Sequence, residues 1–259
     1  MGKMKIVLND KYAHLRTFIE SLPDIFDKEG ESIFLARNEI RLYDEGGFTL
    51  NVKSYKVPIL INRIAYTFFR PSKASRAYEH ALTLLSKGFQ TPDPVAYIET
   101  KKNGLLHRSF FISLHTPMDG HMRLFNDEDK DNVGKEDLIK AFAEFTARLH
   151  EADILHCDYS PGNILREKVD EMGKISYKFS LVDINRMQFR PVSVKMGCKN
   201  FRRMRGNDEF FRLCATYYAK EREADVEQCV QSFLDWKYKD RAKRKRKERF
   251  KEFTRKIFK

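Results

Sequence analysis

Three oxygen-bearing side chains stand in a fixed order in the second half of this 259-residue chain. Asp158 follows His156 by two residues, Asn163 follows Asp158 by five, and Asp183 ends the apolar run Leu181-Val182. Aspartate and asparagine side chains are hard oxygen donors of the kind that bind Mg²⁺, and an aspartate can also place a hydroxyl and take its proton. Transfer of a phosphoryl group needs those two services and little covalent help. A loop with Asp158 and Asn163 five residues apart can direct one group at an acceptor and the other at a metal, with the strand-end Asp183 as a second metal ligand. Singly, each of these residues reads as a turn or strand-end residue. The ordered set in its context does not.

The elements around the set suit that work. Glu136–Ala152 carries Leu138, Phe142, Phe145 and Leu149 at i, i+4, i+7 and i+11, the period of a helix with one buried face. The polar loop His156–Asn163 follows, then a short strand Ile164-Leu165, a charged turn Glu167–Lys174 and a strand ending at Asp183. From Val192 onward the pattern is helical. Asp127–Gly134 reads as a polar loop.

The first part of the chain reads as β-rich. A strand near Lys5–Leu8 precedes a helix over Tyr12–Phe26 interrupted at Pro23. Extended segments Ile33–Tyr43 and Phe48–Tyr55 are joined by Asp44-Glu45-Gly46-Gly47, a hairpin signal. Ile59–Phe69 and Lys73–Lys87 predict helices, the second with Ala77, Ala81, Leu84 and Leu85 on one face and Gly88 as its stop. A strand pair, Val95–Glu99 and Ser109–Leu114, completes this part.

The loop His156-Cys157-Asp158 through Asn163, with Asp183 downstream, resembles the HxDxxxxN loop and metal-binding aspartate of the protein-kinase-like superfamily. The resemblance implies an α+β, bilobal fold over roughly residues 33–235. A β-rich N-terminal lobe is expected over 1–114, a helical C-terminal lobe over 115–236 and a basic amphipathic tail over 237–259. It implies ATP and Mg²⁺ as cofactors, Asp158 as catalytic base, and Asn163 and Asp183 as magnesium ligands. Lys53 takes the place of the strand lysine that holds the α/β-phosphates, with Lys56 as competitor. Glu79 on the following helix is its expected partner, and Gly46-Gly47 stands for the glycine-rich phosphate loop. Asp-Ile-Asn replaces Asp-Phe-Gly, Cys157 replaces the arginine that receives an activation-loop phosphate, and no Ala-Pro-Glu follows, so regulation by activation-loop phosphorylation is not expected.

Within the superfamily the chain is most similar to the lipopolysaccharide core kinases, which phosphorylate Kdo or heptose. The stretches that carry this are Val52-Lys53-Ser54-Tyr55, the Arg76–Leu85 helix leading into Thr91-Pro92-Asp93-Pro94, and Leu181–Arg186 with its Asp-x-x-Arg ending. That resemblance implies an acceptor in the lipopolysaccharide core attached to lipid A, and a location at the cytoplasmic face of the inner membrane.

Charge bears on the acceptor separately. Between Ile184 and Gly206 stand Arg186, Arg190, Lys195, Lys199, Arg202, Arg203 and Arg205, without one acidic residue. Arg186, Arg190, Lys199, Arg202 and Arg203 are therefore candidate acceptor-binding residues, suited to carboxylates and phosphates. Of the net charge of +12, +10 falls on Lys237–Lys259, where 13 bases face three acids. Phe250, Phe253 and Ile257 recur there at i, i+3 and i+7, as in an interfacial helix, so an anionic membrane surface is the expected partner of the tail. On that reading, losing residues 241–259 costs activity only on a membrane-embedded acceptor.

A RIO-type atypical kinase or ATPase beside RNA shares a similar loop, but nucleic acid is the less favoured partner because RNA binding needs no apolar stripe. Small-molecule phosphotransferases with cationic acceptors use acidic clefts, the opposite of 184–206. A pseudokinase scaffold would not keep Asp158, Asn163 and Asp183 together. The four cysteines have no CxxC spacing and read as reduced thiols. The opening MGKMKIVLND has only Ile6–Leu8 as an apolar run, too short for a signal or spanning segment, and Ile6 spoils a myristoylation site. No feature of the sequence selects the sugar, the hydroxyl or an oligomeric state.

Overall fold

A computed structural model describes residues 4–125 and 135–257, the last two by backbone alone. The expected loop Asp127–Gly134 and the Ile257 side chain lie outside the described residues. The chain forms two compact units, one of residues 1–117 with 181–186, the other of 118–180 with 187–259.

In the first unit β1 (Met4–Leu8) leads through a 3₁₀ turn to α1 (Arg16–Ile25), then β2 (Glu31–Leu35), β3 (Glu39–Glu45) and β4 (Phe48–Tyr55). Next come α2 (Leu60–Phe68), α3 (Lys73–Ser86), β5 (Pro94–Lys102) and β6 (Leu105–Leu114). The strands form one antiparallel sheet in the order β1-β5-β6-β4-β3-β2. Strand alternation splits their side chains between two cores. Leu50, Val52, Ile98, Phe110 and Ile112 meet Ile19, Leu22 and Phe26 beside α1. Tyr55 and Tyr97 face the other way, against Ala74 and Tyr78 of α3.

Four sequence expectations are corrected here. Pro23 lies inside α1 without ending it, and Phe26 N–H still bonds Leu22 O at 3.0 Å. Proline this close to the C-terminal end forfeits one bond and leaves little helix to break. Ile33–Tyr43 is two strands with a turn at Ala36-Arg37-Asn38. Leu85 is 37% exposed, off the buried stripe of Ala77, Ala81 and Leu84. The charged turn Glu167–Lys174 is mostly strand, with only Met172-Gly173 between β9 (Ile164–Glu171) and β10 (Lys174–Leu181). Helix α3 starts at Ser72, which accepts from Ser75 N–H, and stops at Gly88 with φ +81°. Helix α2 has no buried residue; Arg63 ties it to the sheet through Leu106 O at 2.8 Å and Lys102 O at 3.0 Å.

In the second unit α4 (Glu136–Glu151) is the central helix, burying Leu138, Phe142, Phe145 and Leu149. Strands β7 (Gly120–His121), β9 and β10 form a small sheet, and β8 (Ile154–His156) pairs with β11 (Met187–Phe189). Helices α5 (Val194–Asn200), α6 (Asp208–Glu221) and α7 (Val226–Ile257) complete it. Phe201 joins them, its ring 4.5 Å from Phe233 of α7 and 5.5 Å from Tyr218 of α6. Among the described residues no helix is long and apolar enough to cross a membrane.

Candidate active site

In the first unit, the alternation of β4 puts Lys53 on the same face as Tyr55, toward α3. Its ammonium donates to Asp183 Oδ1 at 2.9 Å, and the Lys53 side chain is 14% exposed. Asp183 reaches this place because Leu181 is stitched beside the Gln90-Thr91 segment: Leu181 N–H bonds Gln90 O at 2.9 Å, and Thr91 Oγ1 donates to Leu181 O at 2.7 Å. His80 Nδ1 holds Ile184 O at 2.8 Å. Asp183 itself has φ +55°, a left-handed conformation that aspartate tolerates better than most side chains. Asn185 Nδ2 donates to the same Oδ1 at 2.6 Å.

The surroundings of Asp183 are cationic. The Lys53 and Lys73 ammoniums lie 5.5 and 5.9 Å from the Tyr55 ring. Burial, and then the charge of Asp183, push the Tyr55 hydroxyl's pKa up. The Lys73 pKa is pushed down by partial burial and then by Arg37, Arg186 and Arg76, with Asp183 acting against them. Several cations around one carboxylate form a site for an anion that brings its own counter-ion, as a metal-bound polyphosphate does.

In the second unit, the loop after β8 is pinned through the backbone of Asp158. His156, fully buried, accepts the Asp158 N–H on Nδ1 at 3.1 Å, and Asn163 Nδ2 donates to Asp158 O at 2.9 Å. Tyr159, 1% exposed, shares a 2.7 Å hydrogen bond with Thr146 of α4. Loop and helix are thereby locked, and the Asp158 carboxylate, 22% exposed, forms an ion pair with Arg203. Asn163 uses its NH₂ on the loop, which turns its amide oxygen to other work.

The model of the lipopolysaccharide kinase (Kdo/WaaP) family matches residues 59–235. This chain belongs to that family. The solved structure of WaaP in complex with acyl carrier protein is similar at 15% identity and a TM-score of 0.61, covering 93% of this chain and 98% of that one. The Rio2 kinase from Chaetomium thermophilum matches at 12% identity and a TM-score of 0.46, over 88% of this chain and 73% of that one. No curated protein sequence matches. The fold is therefore protein-kinase-like, with an N-terminal antiparallel sheet and a helical C-terminal part.

In this kinase, the surroundings of two candidates for the nucleotide site can be described. Glu79 is exposed and its charge acts on Lys5, Tyr78 and His80, whereas Lys53 pairs with Asp183. The face of α3 nearest Asp183 carries Lys73, Arg76 and His80 at i, i+3 and i+7. Glu79, one residue short of His80, is turned about 100° from it. Gly46-Gly47 closes the β3–β4 hairpin as a two-residue turn with φ of +58° and +80°, and a Cβ at Gly46 would meet Leu15. That turn is six residues from Lys53, about 20 Å along the strand. The turn at the Lys53 end is Ala36-Arg37-Asn38, where Asn38 Oδ1 accepts Lys56 N–H. It carries an arginine in place of glycines.

The acceptor candidates also separate. Arg202 and Arg203 line an open cleft of about 930 Å³ beside Ser160–Gly162. Arg186 is in the first unit, near Lys73. Lys199 lies 4.7 Å over the Trp236 ring, and Arg190 bonds Gln188. Sequence reasoning missed Arg37, Lys73, Arg76 and Asn185. The available signal for Lys73 and Arg76 was the stretch from Gly46 to Tyr78, which holds six bases and no acid.

Proposed function

We propose that this kinase transfers the γ-phosphoryl group of ATP to a hydroxyl of Kdo or heptose in the lipopolysaccharide inner core, at the cytoplasmic face of the inner membrane. The observation that carries this reading is the pinned catalytic loop: Asp158 is fixed through its own N–H and C=O, and its carboxylate pairs with Arg203, which lines a cationic cleft. In this reading Asp158 orients the acceptor hydroxyl and takes its proton. Lys53, helped by Lys73, holds phosphate oxygens.

In this reading Asp183 and the Asn163 amide oxygen would each offer Mg²⁺ a ligand. Both are hard oxygen donors, and Mg²⁺ takes only one or two protein ligands when phosphates and waters fill the rest of its shell. When bound, the ion would neutralise phosphate charge. The exposed Phe250 and Phe253 on the basic end of α7 support contact with an anionic membrane surface.

The test is incubation with ATP, Mg²⁺ and a panel of Kdo–lipid A, heptosylated core and generic protein, read by mass spectrometry. Wild type should add one phosphate to a core sugar. Asp158→Asn should lower that rate at least a hundredfold with ATP affinity retained, and a rate within tenfold of wild type would overturn the role of Asp158.

A further inference from the structure

We infer that the basic stretch of α7 is a wall of the acceptor site, and that the cleft it closes takes a phosphate or carboxylate carried on the acceptor sugar beside the hydroxyl to be phosphorylated. The identity of the acceptor rests on the kinase reading above; the anion site rests on the cleft alone.

The cleft is built from three parts of the second unit. Its floor is Ser160–Gly162, the turn that directly follows Asp158. One side is Arg202, Arg203 and Arg205; the other is Lys243, Arg244 and Lys247. Those α7 residues, with Asp240, fall at i, i+3, i+4 and i+7, so a single helix face lines the cleft. Among the described residues Asp240 is the only acid in the lining, and Arg244 pairs with it at 2.5 Å. Among the described residues no carboxylate pairs with Arg202, Arg205, Lys243 or Lys247. Arg123 closes a third side, and Gly162 admits it: a Cβ on Gly162 would collide with the Arg123 guanidinium. Concentrated cations with one neutralised acid make a polyanion site, and arginines suit planar carboxylates and phosphates.

A loosely attached tail could not serve as a wall, but α7 is fixed one turn before the cleft. Lys237, 2% exposed, forms an ion pair with Asp208, Tyr238 donates to Asp208 at 2.6 Å, and Arg241 donates to Gly206 O at 2.8 Å. Three residues beyond Lys247 the helix presents Phe250, 66% exposed. Cations followed at once by an exposed aromatic ring match an acceptor whose charged sugars adjoin a lipid.

The experiment uses the full chain and a water-soluble, fully deacylated inner-core saccharide that keeps its Kdo carboxylates and phosphates. Calorimetric titration of this saccharide without ATP is compared for wild type and Lys243→Ala/Lys247→Ala, followed by KM for saccharide and for ATP. The double variant should bind the saccharide at least tenfold more weakly and raise its KM correspondingly, with the KM for ATP unchanged. Wild-type binding should weaken with salt. If the variant binds the saccharide like wild type, or wild type does not bind it, the inference is overturned and α7 is left with its membrane role. If wild type binds the saccharide and the variant does not, but neither phosphorylates it, the anion site stands and the assignment of the acceptor falls.

Discussion

Mild acid should destabilise this protein through His150. The imidazole, in the last turn of α4, is 1% exposed, with Nδ1 2.9 Å from the Tyr218 hydroxyl and Nε2 3.3 Å from Asn200 Nδ2. A neutral ring protonated on Nδ1 satisfies both partners. Burial, and secondarily Arg222, push its pKa from 6.5 down to about 3. A depressed folded pKa contributes its full stability above the unfolded value and loses it as pH falls, here from about 6.5 towards 3. Each pH unit inside that window costs about 1.4 kcal/mol. Going from pH 7.5 to 5.5 crosses about one such unit, so about 1.4 kcal/mol should disappear through this group. Urea unfolding at both pH values, on wild type and on His150→Gln, isolates it. His80 and His107 are also lowered by burial, but they are common to both proteins. Wild type should lose about 1.4 kcal/mol more than the variant. Equal losses would show that His150 is reached by protons in the folded state, and the reasoning would fail.

Gly197→Ala should cost about 3 kcal/mol and lower the melting temperature by roughly 6–12 °C, because the new Cβ would overlap the Tyr218 hydroxyl and press on His150; a calorimetric scan unchanged within 2 °C would contradict this. Asp183→Ala should weaken Mg²⁺-dependent ATP binding at least tenfold more than Asn163→Ala, since a carboxylate is the stronger ligand for a hard cation; titration calorimetry with and without Mg²⁺ decides the order. Asp208→Ala should cost about 2 kcal/mol in urea unfolding by leaving the buried Lys237 short of its carboxylate, a figure below that of a fully buried pair because Asp208 is half exposed.

What the sequence made legible follows from local physics. Helix α4 was readable because Leu138, Phe142, Phe145 and Leu149 repeat with the helical period, and the hairpin at Gly46-Gly47 because two glycines supply the positive φ values that its turn requires. Which end of the sheet that hairpin occupies was not readable, because it depends on pairing between β3, β4 and β2. The turn at Ala36-Arg37-Asn38 passed unnoticed inside a longer strand because it has neither glycine nor proline. For Glu79 the charge type was visible, but the phase of α3 against Asp183 was not. The tail was read from its charge total and its stripe of Phe250, Phe253 and Ile257, neither of which shows that Lys237 and Arg241 are anchored.

The return of Leu181–Arg186 to the first unit has a consequence for any attempt to dissect the molecule. The backbone passes between the units at 117/118, 180/181 and 186/187, so no single cut yields two complete pieces. A fragment ending near residue 117 would lack Asp183 and leave Lys53, Gln90 and Thr91 without their bonded partners. A fragment starting near residue 118 would carry a six-residue insert without Lys53, His80, Gln90 and Thr91, its bonded partners in the first unit. Supplying residues 181–186 as a separate peptide to the first fragment, or grafting them onto its C-terminus through a flexible linker, is the dissection that this threading permits.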